Sequence, residues 1–161
     1  MSEPDRRRGV IAPDDPRRPD VRALLAIHLA FGHEHCPPED VHALDVDGLL
    51  DPAISFFSYR VDGALLGVGA IKQLDQDTAE LKSMHTAAAA RGRGVGRAMV
   101  DHLLAVARER GVRRVSLETG SMAAFDAARA LYAKVGFVDC GPFASYAASP
   151  NSTFMTLALD G

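Results

Sequence analysis

The residues best suited to chemistry stand together in the segment 84–97, which reads Met-His-Thr-Ala-Ala-Ala-Ala-Arg-Gly-Arg-Gly-Val-Gly-Arg. Its glycines, Gly92, Gly94 and Gly96, remove side chains where the backbone must bend and where a ligand can approach it closely. A helical pattern of apolar residues starts immediately afterwards, at Val95. The first turn of a helix has unpaired N–H groups and a positive dipole end, which suit an anion.

Positive charge surrounds the same glycine turn. The basic residues are Arg91, Arg93 and Arg97. The glycine spacing is G-x-G-x-G, so the dinucleotide pattern G-x-G-x-x-G is not met, and no Gly-Lys-Ser/Thr follows as a P-loop requires. The turn therefore predicts a phosphate-binding loop of another kind.

Two motifs carry a resemblance to a known family. The run Arg91-Gly-Arg-Gly94-Val-Gly96 resembles the coenzyme A signature Q/R-x-x-G-x-G/A of the GNAT N-acetyltransferase superfamily. Ala130-Leu-Tyr-Ala-Lys-Val-Gly-Phe137 is similar to the second hallmark of that superfamily, A-x-x-L-Y-x-K-x-G-F, and lies at the expected distance. The resemblance implies an acetyl-CoA-dependent N-acetyltransferase. A non-catalytic acetyl-CoA sensor and a binder of another phosphate ligand remain open alternatives.

The composition is that of one enzyme domain. The chain has 161 residues, of which 47% are hydrophobic and 24% charged, so we expect a single domain over 1–161 with a flexible tail at 1–8. The net charge of −3 argues against a nucleic-acid partner. We see neither a membrane span nor a signal peptide, and Cys36 and Cys140 make no disulfide framework, so we expect a cytoplasmic protein.

Periodicity and turn residues predict the elements that position these motifs. The predicted strands are 9–12, 54–61, 64–72, 79–86, 112–119, 137–143 and 153–159. The predicted helices start at Pro19, at Pro37 running through Leu44, after the glycine turn, and at Ser121 as N-cap. The order indicates an α/β fold of three layers, a mixed sheet with helices on both faces.

The resemblance implies where the cofactor lies. In GNAT enzymes the strand before the glycine turn splays from its neighbour, and the pantetheine arm of acetyl-CoA lies in the opening. Relatives often carry an asparagine where this chain has Phe125, so one cofactor contact is missing or is replaced, for example by Ser121. The expected cofactor-binding residues are Met84, His85, Thr86, Arg91, Gly92, Arg93, Gly94, Val95, Gly96, Arg97, Ser121 and Phe125. No metal is expected.

Two residues are the candidate catalysts. An alkylamine attacks a thioester only when neutral, so a base must take its proton. Glu80 lies at the position where many relatives carry a catalytic glutamate; its alternative role is a rim carboxylate paired with Lys82. Strand alternation predicts that Glu80, Lys82, Met84 and Thr86 share one face and that the His85 side chain points to the other. Tyr132 stands at the tyrosine position of the second motif. The resemblance implies that it is the general acid that protonates the CoA thiolate; its alternative role is to pack its ring in the core.

The acyl acceptor is the least defined part of the prediction. In this fold its pocket is built by the first helices and by the segment between the last two strands. We expect contacts from Phe31, Glu34, Phe143 and Tyr146 and a small-molecule primary amine as acceptor, with a peptide or protein amine as the alternative. A homodimer also stays open, since many relatives pair through their late strands.

Overall fold

A computed structural model describes residues 9–159; the tail predicted at 1–8 lies outside them. The strands are β1 Val10–Pro13, β2 Ile54–Val61, β3 Ala64–Gln73, β4 Thr78–Thr86, β5 Arg114–Gly120, β6 Val138–Cys140 and β7 Ser152–Ala158. The α-helices are α1 Pro19–His35, α2 Val95–Glu109 and α3 Asp126–Val135. Single 3₁₀ turns lie at Pro38–Asp40, Gly48–Leu50, Ala88–Ala90 and Ala123–Phe125. Among the described helices, none is long and apolar enough to cross a membrane.

The strands form one mixed sheet in the order β1-β2-β3-β4-β5-β7-β6. All neighbours are antiparallel except β4 and β5, which run parallel and pair at three positions that end with Glu80 opposite Ser116. Beyond Glu80 the two strands separate. The predicted splayed strand pair is therefore present in the middle of the sheet.

Helices cover both faces of this sheet, as the predicted three-layer arrangement requires. On one face, Met99 and Leu103 of α2 pack against Ile71 and Leu117 of the strands. On the other face, a second buried cluster joins α1 to the sheet. Its members are Val21, Leu24, Leu25, Leu49, Phe56, Val68 and Ala70. Burial of these apolar faces fixes the two helical layers.

The helix predicted from Pro37 through Leu44 does not form. The chain makes one 3₁₀ turn at Pro38–Asp40 and then becomes extended at Val41, with φ −86° and ψ 106°. Contacts from distant parts of the chain favour this extended path, because the rings of His42 and Tyr146 pack 4.9 Å apart. Tertiary packing overrides a weak helical preference here.

Two further local predictions need correction. Ser121 does not cap a helix: its hydroxyl lies 2.7 Å from Oγ1 of Thr153, and α3 begins later, at Asp126, with no side-chain cap. The strand predicted at 137–143 is confined to Val138–Cys140. Gly141 and Pro142 follow it, and proline cannot donate a ladder hydrogen bond.

Candidate active site

A β-bulge in β4 determines which side chains reach the site. Val68 pairs with His85 and Ala70 with Lys82, so two residues of β4 lie opposite Gly69, and one of them, Ser83, has φ 56°. An extra residue in a strand reverses the alternation of the side chains beyond it. A non-glycine residue at positive φ has no clear sequence signal, which is why simple alternation misassigned the faces.

The reversal changes the predicted face of three residues. The His85 side chain lies on the α1 side, where its Nδ1 is 3.1 Å from Nδ1 of His28. Met84 packs instead against the α2 and α3 core, and Oγ1 of Thr86 lies close to Gly96 of α2. The prediction that Met84 and Thr86 share a face with Glu80 is wrong, and so is the prediction that the His85 side chain points away from it.

A cleft of about 580 Å³ opens where β4 and β5 separate. We call its basic end the phosphate end. The residues of this end are Arg91, Gly92, Gly94, Val95, Gly96 and Arg97. Gly92 and Gly94 both have φ 78°, a left-handed conformation that favours glycine, and Gly94 is the N-cap of α2. The loop thus directs the N-terminus of a helix and two guanidinium-bearing residues towards the cleft, which suits a phosphate.

The remaining predicted cofactor residues divide into two groups. Met84, Thr86 and Phe125 line the cleft, as does His85. Arg93 is exposed, and the Ser121 hydroxyl forms a hydrogen bond with Thr153. Neither residue lines the cleft. The roles assigned to these residues stay predictions.

Tyr132 lies in the cleft wall and is 6% exposed. Its ring packs against Phe137 at 5.8 Å, and α3, which carries it, ends at Gly136 with φ 121°. Burial raises the pKa of the Tyr132 phenol above its ordinary value of 10.0. A phenol is protonated at neutral pH even at its ordinary pKa, as a general acid must be, and burial strengthens this preference.

We call the opposite end of the cleft the acceptor end. Its lining includes Asp40, His42, Glu80, Lys82, Glu118 and Tyr146. Glu80 is 3% exposed, and its Oε2 accepts hydrogen bonds from Lys82 Nζ at 3.1 Å and from the Tyr146 hydroxyl at 2.5 Å. Lys82 Nζ also donates to the Tyr146 oxygen at 2.9 Å. Burial raises the pKa of Tyr146, and the negative charge of Glu80 adds to the rise.

Two loops meet beside the acceptor end, and we call their contact the loop bridge. Oδ2 of Asp40 accepts hydrogen bonds from the Ser149 hydroxyl at 2.9 Å and from Asn151 Nδ2 at 3.0 Å. These hydrogen bonds lower the pKa of Asp40, so its carboxylate is ionised at neutral pH. The loop bridge joins the segment after α1 to the segment between β6 and β7.

The predicted acceptor contacts are only partly brought together. Phe31 and Tyr146 line the cleft, and Phe31 packs against Phe125 with ring centroids 5.2 Å apart. The Glu34 side chain is 73% exposed and is not part of the lining. Phe143 lies behind Tyr146, at 5.1 Å between the rings.

Sequence reasoning missed Glu118 and several of the contacts that build the site. Glu118 lines the cleft, and alternation along β5 from the buried Leu117 could have placed it on the α1 face. The pair of His28 and His85 depends on the bulge, and Asp40 depends on the loop bridge. No local pattern in the sequence indicates either relationship.

Comparison with known proteins agrees with this geometry. Residues 19–137 match the model of the acetyltransferase (GNAT) family. The chain belongs to this family. It is therefore an acyltransferase, and the GNAT fold accounts for the splayed strands and the phosphate end.

Individual relatives cover nearly the whole chain. It is 46% identical over 149 residues to YedL of Escherichia coli (strain K12), described as an uncharacterized N-acetyltransferase; the match covers 92% of this chain and 94% of that protein. A solved structure from Klebsiella pneumoniae, described as an acyl-CoA N-acyltransferase, superposes with a TM-score of 0.81 at 28% identity, over 94% of this chain and 98% of that one. A GNAT family acetyltransferase from Elizabethkingia anophelis, solved with acetyl-CoA bound, shares the fold at 16% identity and a TM-score of 0.69, with 94% of this chain and 98% of that one covered.

Proposed function

We propose that this enzyme transfers the acetyl group of acetyl-CoA to the primary amine of a small molecule, by direct attack in a ternary complex. The phosphate end would hold the pyrophosphate of acetyl-CoA through the N-terminus of α2, Arg91 and Arg97. The pantetheine arm would lie between the separated strands β4 and β5, along the backbone at 84–86. The thioester would then lie between Tyr132 and the acceptor end.

The observation that carries the small-molecule assignment is the loop bridge. Asp40 joins Ser149 and Asn151 at 2.9 and 3.0 Å, and the His42 ring packs on Tyr146. An extended peptide needs a groove that is open at both sides, whereas the two joined loops border the acceptor end, with Asp40 and Tyr146 among its lining residues. A compact amine fits a pocket bordered in this way better than a polypeptide.

The proposed acetyl transfer involves two protons of the amine, and each of them has an acceptor. A carboxylate of the acceptor end takes one proton from the ammonium, and the neutral amine attacks the thioester carbon, so that a C–N bond forms and the C–S bond breaks. The second proton leaves the nitrogen as the amide forms. Tyr132 gives its proton to the departing thiolate and regains one from the nitrogen.

The state of the cysteines bears on where this reaction takes place. Cys36 and Cys140 are free thiols, which is typical of proteins in the reducing cytoplasm.

A comparison of acceptors tests the proposal. Wild-type enzyme, Asp40→Ala and the control Asp47→Ala, which changes an exposed aspartate outside the cleft, would be assayed with small primary amines and with short peptides. We expect small amines to be preferred by wild type and by the control, and the preference to shrink in Asp40→Ala. A higher kcat/KM for peptide amines than for every small amine in the wild type would contradict the small-molecule assignment.

A further inference from the structure

Two of the carboxylates at the acceptor end, Glu80 and Glu118, stand on the neighbouring strands β4 and β5, and their surroundings differ. Oε2 of Glu80 accepts two hydrogen bonds, one from Lys82 Nζ and one from the Tyr146 hydroxyl. The Glu80 and Lys82 side chains are only 4% and 10% exposed, so this ion pair is poorly screened by water. Loss of the negative charge on Glu80 would break this ion pair with Lys82.

Glu118 lies on β5 across the cleft from β4, and its surroundings leave it without an ion-pair partner. Lys82 is already bound to Glu80 and Tyr146. Within residues 9–159, no basic side chain comes within the 4.0 Å that defines a salt bridge to Glu118. The acceptor end therefore carries three carboxylates, Asp40, Glu80 and Glu118, against one ammonium, that of Lys82.

The environment of Glu118 favours proton uptake. Burial raises the pKa of the Glu118 carboxyl, and the negative charge of Glu80 adds to the rise, while Ser152, His42 and Lys82 act in the opposite direction. A general base works best when its pKa is close to the working pH. Two carboxylates in one pocket whose environments differ in this way are suited to different roles.

We propose that Glu118, rather than Glu80, accepts the proton of the acceptor's ammonium group, and that Glu80 is a positioning residue that holds Tyr146 and Lys82 in the pocket wall. This assignment rests on the proposed amine acetylation. The ammonium forms an ion pair with Glu118 on binding and transfers one N–H proton to its carboxylate, which leaves a neutral amine and a neutral carboxyl. That proton is released to water after the product leaves.

The test compares two acceptors that differ in whether a proton must be removed before the nitrogen can attack. An alkylamine is an ammonium at neutral pH, whereas an arylamine is already uncharged. For wild type, Glu118→Gln, Glu80→Gln and the control Glu109→Gln, an exposed residue at the end of α2, kcat/KM for each acceptor would be measured against pH at saturating acetyl-CoA.

We expect Glu118→Gln to lower kcat/KM about 10²- to 10⁴-fold for the alkylamine and to remove the acidic limb of its pH profile. With the arylamine the loss should stay below about tenfold, since no proton needs to be removed before attack. Glu80→Gln should change KM for both acceptors and keep the acidic limb. Glu118→Asp, which keeps the carboxylate, should recover part of the lost rate.

Two results would overturn the assignment: a wild-type pH profile in Glu118→Gln, or loss of the acidic limb in Glu80→Gln alone. Equal thermal midpoints and equal acetyl-CoA affinities of the variants exclude misfolding as the cause. If the wild-type enzyme acetylates neither acceptor nor any other amine, the proposed function itself fails and this assignment fails with it. If the wild type acetylates an amine and Glu118→Gln does so with the same kcat/KM, the proposed function stands and only the assignment of Glu118 as base is contradicted.

Discussion

The hydroxyl of Tyr146 lies 2.5 Å from Oε2 of Glu80, although 66 positions separate the two residues in the chain. The bond ties the loop between β6 and β7 to the strand that borders the cleft. Lys82 completes a three-membered network with both groups. Buried polar networks of this kind stabilise one arrangement of a pocket only when all their members are present.

Removing the Tyr146 hydroxyl should therefore loosen the acceptor end. We expect Tyr146→Phe to lower the free energy of unfolding by about 1–2 kcal/mol, because Lys82 and Glu80 each lose a hydrogen-bond partner. KM for the amine should rise, whereas KM for acetyl-CoA should not change. Chemical denaturation and steady-state kinetics measure both effects, and Tyr59→Phe on β2, outside the cleft, is the matched control. An unchanged amine KM would disprove the structural role of the network.

Tyr132→Phe separates chemistry from binding. The phenol holds its proton at neutral pH, and burial raises its pKa further. We expect the variant to lower kcat about 10²- to 10⁴-fold, the usual contribution of a general acid, with the acetyl-CoA dissociation constant unchanged. Stopped-flow kinetics measures kcat, and titration calorimetry measures the dissociation constant of acetyl-CoA. Wild-type kcat in the variant would remove Tyr132 from the mechanism.

The phosphate end should respond to loss of charge. Arg91→Ala is expected to weaken acetyl-CoA binding roughly fivefold, which corresponds to about 1 kcal/mol for an exposed charge. The effect should shrink at high salt and should be absent for pantetheine, which carries no phosphate. Arg108→Ala, near the C-terminal end of α2 and outside the cleft, serves as the control. Equal loss of affinity for acetyl-CoA and pantetheine would contradict a phosphate contact at Arg91.

The pair of His28 and His85 predicts a pH dependence of stability. Burial lowers the pKa of His28 from 6.5 to about 4, and the charge of His85 adds to the shift. Between these two pH values the unfolded chain binds the proton and the folded chain does not, so stability should fall as pH decreases from 6.5 towards 4, by a total on the order of 3 kcal/mol. Above pH 6.5 this residue should contribute no slope.

Denaturant unfolding at several pH values measures this dependence. His28→Asn should make the free energy of unfolding less dependent on pH in that window, whereas the exposed His33→Asn should leave the slope unchanged. A slope in His28→Asn equal to that of the wild type would show that His28 is not the group responsible.

The phosphate end and the order of the elements could be predicted from the sequence because their signals are local. The glycine spacing at 92–96 and the apolar pattern from Val95 onwards fixed the turn and the start of α2. The Asp62-Gly63 pair between the predicted strands 54–61 and 64–72 is likewise a local hairpin signal, and both residues have positive φ as that turn requires.

The acceptor end could be predicted only in part, because its arrangement depends on contacts between distant residues. Asp40 and Asn151 are 111 positions apart, and their hydrogen bond joins the segment after α1 to the loop before β7. The bulge at Ser83 reverses the faces of Met84, His85 and Thr86 and leaves no local signature. Glu118 stands out only when Lys82 is seen to be bound to Glu80 and Tyr146.

The most direct test of the account is the release of free CoA thiol from acetyl-CoA in the presence of single amines, with the product identified by mass spectrometry. We predict amine-dependent release and a product that carries one added acetyl group for at least one small primary amine. Failure of every small amine to stimulate release, with acetylation of a peptide or protein amine instead, would contradict the proposed function.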